Sequence, residues 1–131
     1  MRPALVALLF AIASPVMAQT ACPAGLQPWT RIELHLGLGL PGGGEVSRAQ
    51  FRNFLEGTVM PRFPDGYTVI EANGHYRYKS GKVTAEPARV LMILMKAPGE
   101  AAPKVDEIVK VYKARFRQES VGRSHRVDCM A

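Results

Sequence analysis

The chemical capacity of this chain is concentrated in one short run, Arg31-Ile32-Glu33-Leu34-His35. Arg31, Glu33 and His35 lie two apart, so in an extended strand all three project from one face. A carboxylate and an imidazole at that spacing can share a proton, and a guanidinium beside them can hold an anionic group. Glu33 and His35 are therefore the candidate acid–base pair, and Arg31, Glu33 and His35 the candidate binding row. A second reading of the same residues makes Arg31 and Glu33 a structural ion pair that serves stability alone. Three further binding candidates lie outside the row: Arg62, Tyr76 and Glu119. Arg62 and Glu119 both follow predicted helices. There, with Asp65, they either satisfy the orphan carbonyls of helix exits in one ion-pair cluster or rim a pocket.

Metal and cofactor chemistry find no support in the pattern. His75 and His125 fall in other segments without ligand spacing to Glu33 and His35, and there is no Cys-x-x-Cys, so no metal is expected. The run Leu40-Pro41-Gly42-Gly43-Gly44 lacks both the P-loop lysine and the dinucleotide fingerprint, so it is read as a plain turn and no cofactor is expected.

These residues need elements to position them. Ile32, Leu34, Leu36 and Leu38 alternate with the polar row, which predicts a half-buried strand with its leucines on the core side. Ser47 and Gln50 have capping-box spacing, Val46 and Phe51 suit a hydrophobic staple, and Phe51, Phe54, Leu55 and Val59 mark one face of a first helix. Pro61 and Pro64 end it. A second strand starts near Tyr67; its reversal falls either at Asn73-Gly74 or at Ser80-Gly81. Residues 89–95 are nearly all apolar and predict a central strand covered on both faces. Val105, Ile108, Val109, Tyr112 and Phe116 form the core stripe of a second helix, and residues 121–129 a last polar strand.

The order β-α-β-β-α-β is the ferredoxin-like split arrangement, an α+β fold with a four-stranded antiparallel sheet and both helices on one face. The first and third strands are then central, and the last lies antiparallel beside the first. The uncovered face combines the Arg31-Glu33-His35 row with Val90, Met92 and Leu94. Such a face either stacks on a second copy as a dimeric α+β barrel with a pocket between the sheets, or is covered by the chain's own leader.

The N-terminus reads as a cleavable secretory signal over residues 1–18: Arg2, an apolar run over Ala4–Ala13, and Val16-Met17-Ala18 at the cleavage positions. Residues 19–29 are an extended leader and residues 30–131 one domain. An alternative makes Cys22 a lipid-bearing residue, although Gln19 stands where such signals carry Leu. Two cysteines in an exported chain predict one bridge, Cys22–Cys129, which suits the antiparallel placement of the last strand beside the first. Net charge is +6 with the signal's Arg2 included. In an exported protein that balance argues against nucleic acid as partner. It leaves either a solvated surface or weak contact with anionic envelope polymers and lipids through Lys104, Lys110, Lys113 and Arg117.

Three strings point further: Arg31-Ile32-Glu33-Leu34-His35-Leu36-Gly37, Pro61-Arg62-Phe63-Pro64-Asp65-Gly66-Tyr67-Thr68-Val69, and residues 112–121 with Gln118-Glu119-Ser120-Val121. Together they resemble the bacterial family catalogued as domain of unknown function 3574, small exported proteins or lipoproteins, over about residues 28–123. His35 and Tyr76 depart from the family pattern, which has Tyr and Trp there. The resemblance implies no activity or catalytic residue. The reading that results is an exported, periplasmic ligand-binding or accessory envelope module for an unidentified small ligand. Its alternatives are a small cofactor-independent enzyme with its pocket on the open sheet face, and a basic protein of the anionic envelope surface.

Overall fold

The computed structural model describes residues 22–96 and 101–131. The expected signal over residues 1–18 lies outside the described residues, as does the Pro98-Gly99 break. The first strand, β1, runs Gln27–Gly37 and so starts three residues before the expected domain boundary at residue 30: Gln27, Pro28 and Trp29 of the expected leader already pair in the sheet. Ile32, Leu34 and Leu36 are fully buried and Leu38 nearly so, as strict alternation with polar residues requires.

A loop closed by Leu40 N–H donating to the Gly44 carbonyl leads to α1, Arg48–Phe54. Both capping-box bonds form: Gln50 N–H to Ser47 Oγ at 3.1 Å, and Ser47 N–H to Gln50 Oε1 at 2.8 Å. The helix then widens into a π-helical turn over Leu55–Val59, closed by Met60 N–H donating to the Leu55 carbonyl. That turn buries Thr58 and Val59 beside Phe51 and Phe54, while Leu55, expected on the core face, is only partly buried.

Two long strands follow, β2 (Thr68–Arg77) and β3 (Val83–Met95). Asn73 and Gly74 sit inside β2, paired with Pro87 and Glu86. The chain reverses at Ser80-Gly81, where Gly81 takes φ 89°, Tyr78 N–H donates to the Lys82 carbonyl and Gly81 N–H donates to the Tyr78 carbonyl. The second helix, α2 (Ala101–Phe116), buries Val105, Ile108, Tyr112 and Phe116 against the sheet. The last strand, β4, is Gly122–Met130.

The sheet order is β2-β3-β1-β4, antiparallel throughout. This is the ferredoxin-like α+β split sandwich, with both helices over the Ile32-Leu34-Leu91-Ile93 face. Pro28 stands opposite Cys129, and the Cys22–Cys129 disulfide closes the chain ends with Cα atoms 5.5 Å apart. Among the described residues no helix is long and apolar enough to cross a membrane.

Candidate functional site

Strand pairing decides what shares the uncovered face. Arg31, Glu33 and His35 lie opposite Leu94, Met92 and Val90 of β3, and opposite Arg126, Ser124 and Gly122 of β4. Near the end of β1 the side chains on this face become small: Gly37 and Gly122 next to His35, Ala88 on β3, Ala72 and Gly74 on β2. The missing side chains leave a cleft of about 310 Å³, walled by the β2–β3 hairpin on one side and the α2–β4 connection on the other. That volume is at the small end of ligand sites.

Two carboxylates and two tyrosines furnish this cleft. Tyr78 Oη donates to Glu86 Oε2 at 3.3 Å, and Tyr76 Oη donates to Glu119 Oε2 at 3.4 Å while accepting from Ser120 Oγ at 3.0 Å. Lys79 N–H donates to the same Glu119 oxygen at 3.2 Å. The two rings meet edge to face, with centroids 5.1 Å apart. Glu86 lies across two glycines, Gly37 at the end of β1 and Gly39 just beyond it: a Cβ on Gly37 would come within 2.7 Å of its Oε1, and one on Gly39 would collide with Oε2. A side chain at either position would push the Glu86 carboxylate out of this placement, so the two glycines make room for it.

The connection that carries Glu119 is set by the end of α2. Gln118 N–H donates to the Lys113 carbonyl across Arg117, which sits at φ 51°, the geometry of a Schellman ending. Glycine is the usual residue there; an arginine costs on the order of 1 kcal/mol of backbone strain. Gln118 Nε2 then donates to the Gly39 and Phe116 carbonyls, tying the connection to the end of β1. The cost is borne at the rim of the cleft, which Arg117 also lines.

Beneath the cleft, Tyr112 Oη donates to the Gly37 carbonyl at 2.7 Å. Burial, then the nearby Glu86 charge, holds the Tyr112 phenol far above the ordinary tyrosine range, with Arg89 opposing. Burial and Glu86 also raise Tyr78, so both phenols are donors at neutral pH. A raised folded pKa means that the folded state keeps its proton while the unfolded chain loses it above pH ~10. The stability Tyr112 contributes is therefore fully present below pH ~10 and falls by about 1.4 kcal/mol per pH unit above it. Urea unfolding between pH 8 and pH ~11 should show that slope and a flatter one for Tyr112→Phe; equal slopes would refute the assignment.

The structure separates the residues that sequence reasoning grouped. His35, Tyr76 and Glu119 line the cleft. Arg31 and Glu33 do not; they belong to an ion-pair relay further along the same face, with Glu33 Oε1 3.5 Å from Arg31 Nη1, Arg31 Nε 3.0 Å from Asp128 Oδ2, and Arg126 Nε 3.2 Å from Asp128 Oδ1. Arg62 donates to the Thr58 carbonyl at the exit of the π turn, and Lys104, from the first turn of α2, packs over the neighbouring Phe63. That is the end of the fold remote from Glu119, so Arg62, Asp65 and Glu119 form no common cluster. Tyr78, Glu86, Gly37 and Ser120 were missed. The signal available for them was Gly37-Leu38-Gly39 at a strand end, a spacing that marks close approach by another group. Among the described residues no group of three or more metal-ligating side chains is brought together.

The sequence model of the family described as "Protein of unknown function (DUF3574)" matches residues 31–131. No curated protein matches the chain. Solved structures share its fold, among them two of a phage SAM lyase. A phage SAM lyase in complex with S-methyl-5'-thioadenosine superposes with a TM-score of 0.61 at 16% identity, over 79% of this chain and 89% of the other. A phage SAM lyase in the apo state gives 0.56 at 16% identity, over 95% and 96%.

Proposed function

Since this chain belongs to the DUF3574 family, its function has to be read from the cleft itself, and we propose that it is an exported ligand-binding module for a small, flat organic molecule bearing a positive charge or several hydrogen-bond donors. The carrying observation is the pairing of Glu86 and Glu119 with tyrosine hydroxyls over a floor of glycine and alanine, with neither carboxylate in an ion pair among the described residues. The tyrosine hydroxyls already donate to the carboxylates, so the cleft offers acceptors and ring surface, which a donor-bearing or cationic ligand complements. The side-chain-free floor admits a flat group close to the backbone. The phage neighbour's S-methyl-5'-thioadenosine has that shape, which makes it the first probe to try.

Export is supported by the secretory pattern of the N-terminus and by the Cys22–Cys129 bridge, which persists in oxidising compartments. The basic face of α2 supports envelope-surface binding less well. Lys110 lies 3.8 Å from Glu107 and Lys104 packs over the Phe63 ring, which leaves fewer charges to spend on a surface.

The test is calorimetry and thermal shift on periplasmic protein whose intact mass starts at Gln19, with S-methyl-5'-thioadenosine, adenosine, S-adenosylmethionine and choline as probes. Saturation at about 100 times Kd should stabilise the fold by about 2.7 kcal/mol. Glu86→Gln should weaken binding at least about tenfold, the loss of one charge-assisted contact. Full affinity in Glu86→Gln, or no binding by any probe, rejects the reading. Turnover of S-adenosylmethionine would replace it with the enzyme alternative, in which His35 at the cleft edge is the nearest acid–base group.

A further inference from the structure

The uncovered sheet face extends well beyond the cleft. Along β2 and β3 it carries Ile70, 46% exposed, with Val90, Met92 and Leu94 half-buried beside it, and β1 adds Trp29, the chain's one tryptophan. The neighbouring half holds Arg31, Glu33, Arg126 and Asp128, two positive and two negative charges already paired with one another. No described element covers this face, and a contiguous apolar row bordered by polar residues marks an interaction surface.

We propose that the face binds a second copy of this chain, the two sheets stacking about a two-fold axis that lies between them and runs across the strands. Size supports this occupant. Four strands at ~4.8 Å spacing and about ten residues at ~3.4 Å rise give a footprint of about 650 Å² per copy. The pair then buries at least about 1,300 Å² in total, within the range of stable interfaces.

Charge supports it as well. The chain as a whole carries +6, yet the paired row on this face sums to zero, so two copies approach without like-charge repulsion where they touch. An axis across the strands sets the apolar row on its own counterpart and reverses top and bottom. The end holding Glu86 and Glu119 therefore faces the other copy's Trp29, Arg31 and Lys96 end, where Lys96 Nζ lies 5.5 Å from the Trp29 ring.

The chain's own leader is a poor cover. Only three residues separate the expected cleavage point from Cys22, which is fixed at the sheet end by its bridge. Three residues reach at most about 11 Å, a third of the face's length. Stacking also roofs the cleft, turning an open groove into an enclosed one.

Sedimentation velocity on the purified protein, expressed from its full sequence, tests this between about 1 and 200 µM, the weak end of interfaces of this size. A dimer is expected at the upper concentrations. Met92→Glu, which sets a charge at the centre of the apolar row, should give a monomer throughout, while Val127→Glu, at an exposed β4 position off this face, should leave the dimer unchanged. Emission from Trp29 should shift to the red on dilution with the same midpoint as the mass. That measurement on the unaltered chain decides the matter even if Met92→Glu fails to fold. A monomer at the highest concentration, a dimer unaffected by Met92→Glu, or dissociation that leaves Trp29 emission unchanged overturns the proposal. The first of these outcomes also covers occupation by an unlike partner or by the uncleaved leader. All three are read without ligand, so they are distinguishable from a failure of ligand binding in the cleft.

Discussion

Reduction of the Cys22–Cys129 bridge is expected to lower the melting temperature by roughly 15–40 °C. The bridge spans 107 residues and so closes nearly the whole domain into one loop. On a chain-entropy treatment, a loop of that length contributes about 4–5 kcal/mol by restricting the unfolded chain. Each kcal/mol shifts the melting temperature of a domain this small by about 4–8 °C. Calorimetry with and without reductant, and of a Cys22→Ser, Cys129→Ser double variant, checks the figure. A fall of less than about 5 °C would mean that the bridge joins segments already close together in the unfolded ensemble.

The second large effect is expected at Phe54. Its ring is fully buried, with centroids 5.0 Å from Tyr112, 6.0 Å from Phe51 and 6.2 Å from Phe116, and the Arg115 guanidinium stands 5.9 Å away. Phe54→Ala removes the centre of that cluster and should cost about 3–5 kcal/mol, the range for a buried phenylalanine that leaves a cavity. The midpoint of urea unfolding reads the loss. Because Tyr112 is held by this cluster and holds the Gly37 carbonyl in turn, the variant should also weaken ligand binding in the cleft without touching it. A cost below about 1.5 kcal/mol would indicate that Tyr112 and Phe116 collapse into the space.

Those buried rings were legible because periodicity reports burial directly. The alternation of Ile32, Leu34, Leu36 and Leu38 ended in the core, as did Val105, Ile108, Tyr112 and Phe116 of the second helix's stripe, while its fifth member, Val109, is only partly buried. Ser47 and Gln50 formed the cap that their spacing predicts. Asn73-Gly74 was ambiguous because a turn dipeptide inside a strand looks the same as one at its tip; the bonds at Tyr78 and Lys82 decide for Ser80-Gly81. The π turn had no local signal, since Leu55–Val59 fits a 3.6-residue repeat as well.

The cleft was the least legible part. Strand alternation identified the open face and placed His35 on it, but the opening is made by absent side chains at Gly37, Gly74 and Gly122. Its carboxylates arrive from separate elements, Glu86 from β3 and Glu119 from the turn after α2. Arg62 was grouped with Glu119 because both follow helices, yet α1 and α2 end at opposite ends of the sheet.

Strand β4 has a property that its sequence leaves open. Most of Gly122–Met130 is exposed, and polar residues stand on both of its faces: Ser124, Arg126 and Asp128 on one, Arg123 and His125 on the other. A strand that is polar on both sides says little about which side should face up, and sliding it by one residue would exchange the two sets at small cost in burial. Arg123 reaches Asp106 on α2 from the side it occupies, and Asp128 reaches Arg31 from the other. Those two partners and the covalent tie at Cys129 act as an address written at the strand's two ends. Reduction removes the covalent part of that address and leaves the two ion pairs alone to hold the alignment of β4, so its register is expected to be less firmly fixed in a reduced chain.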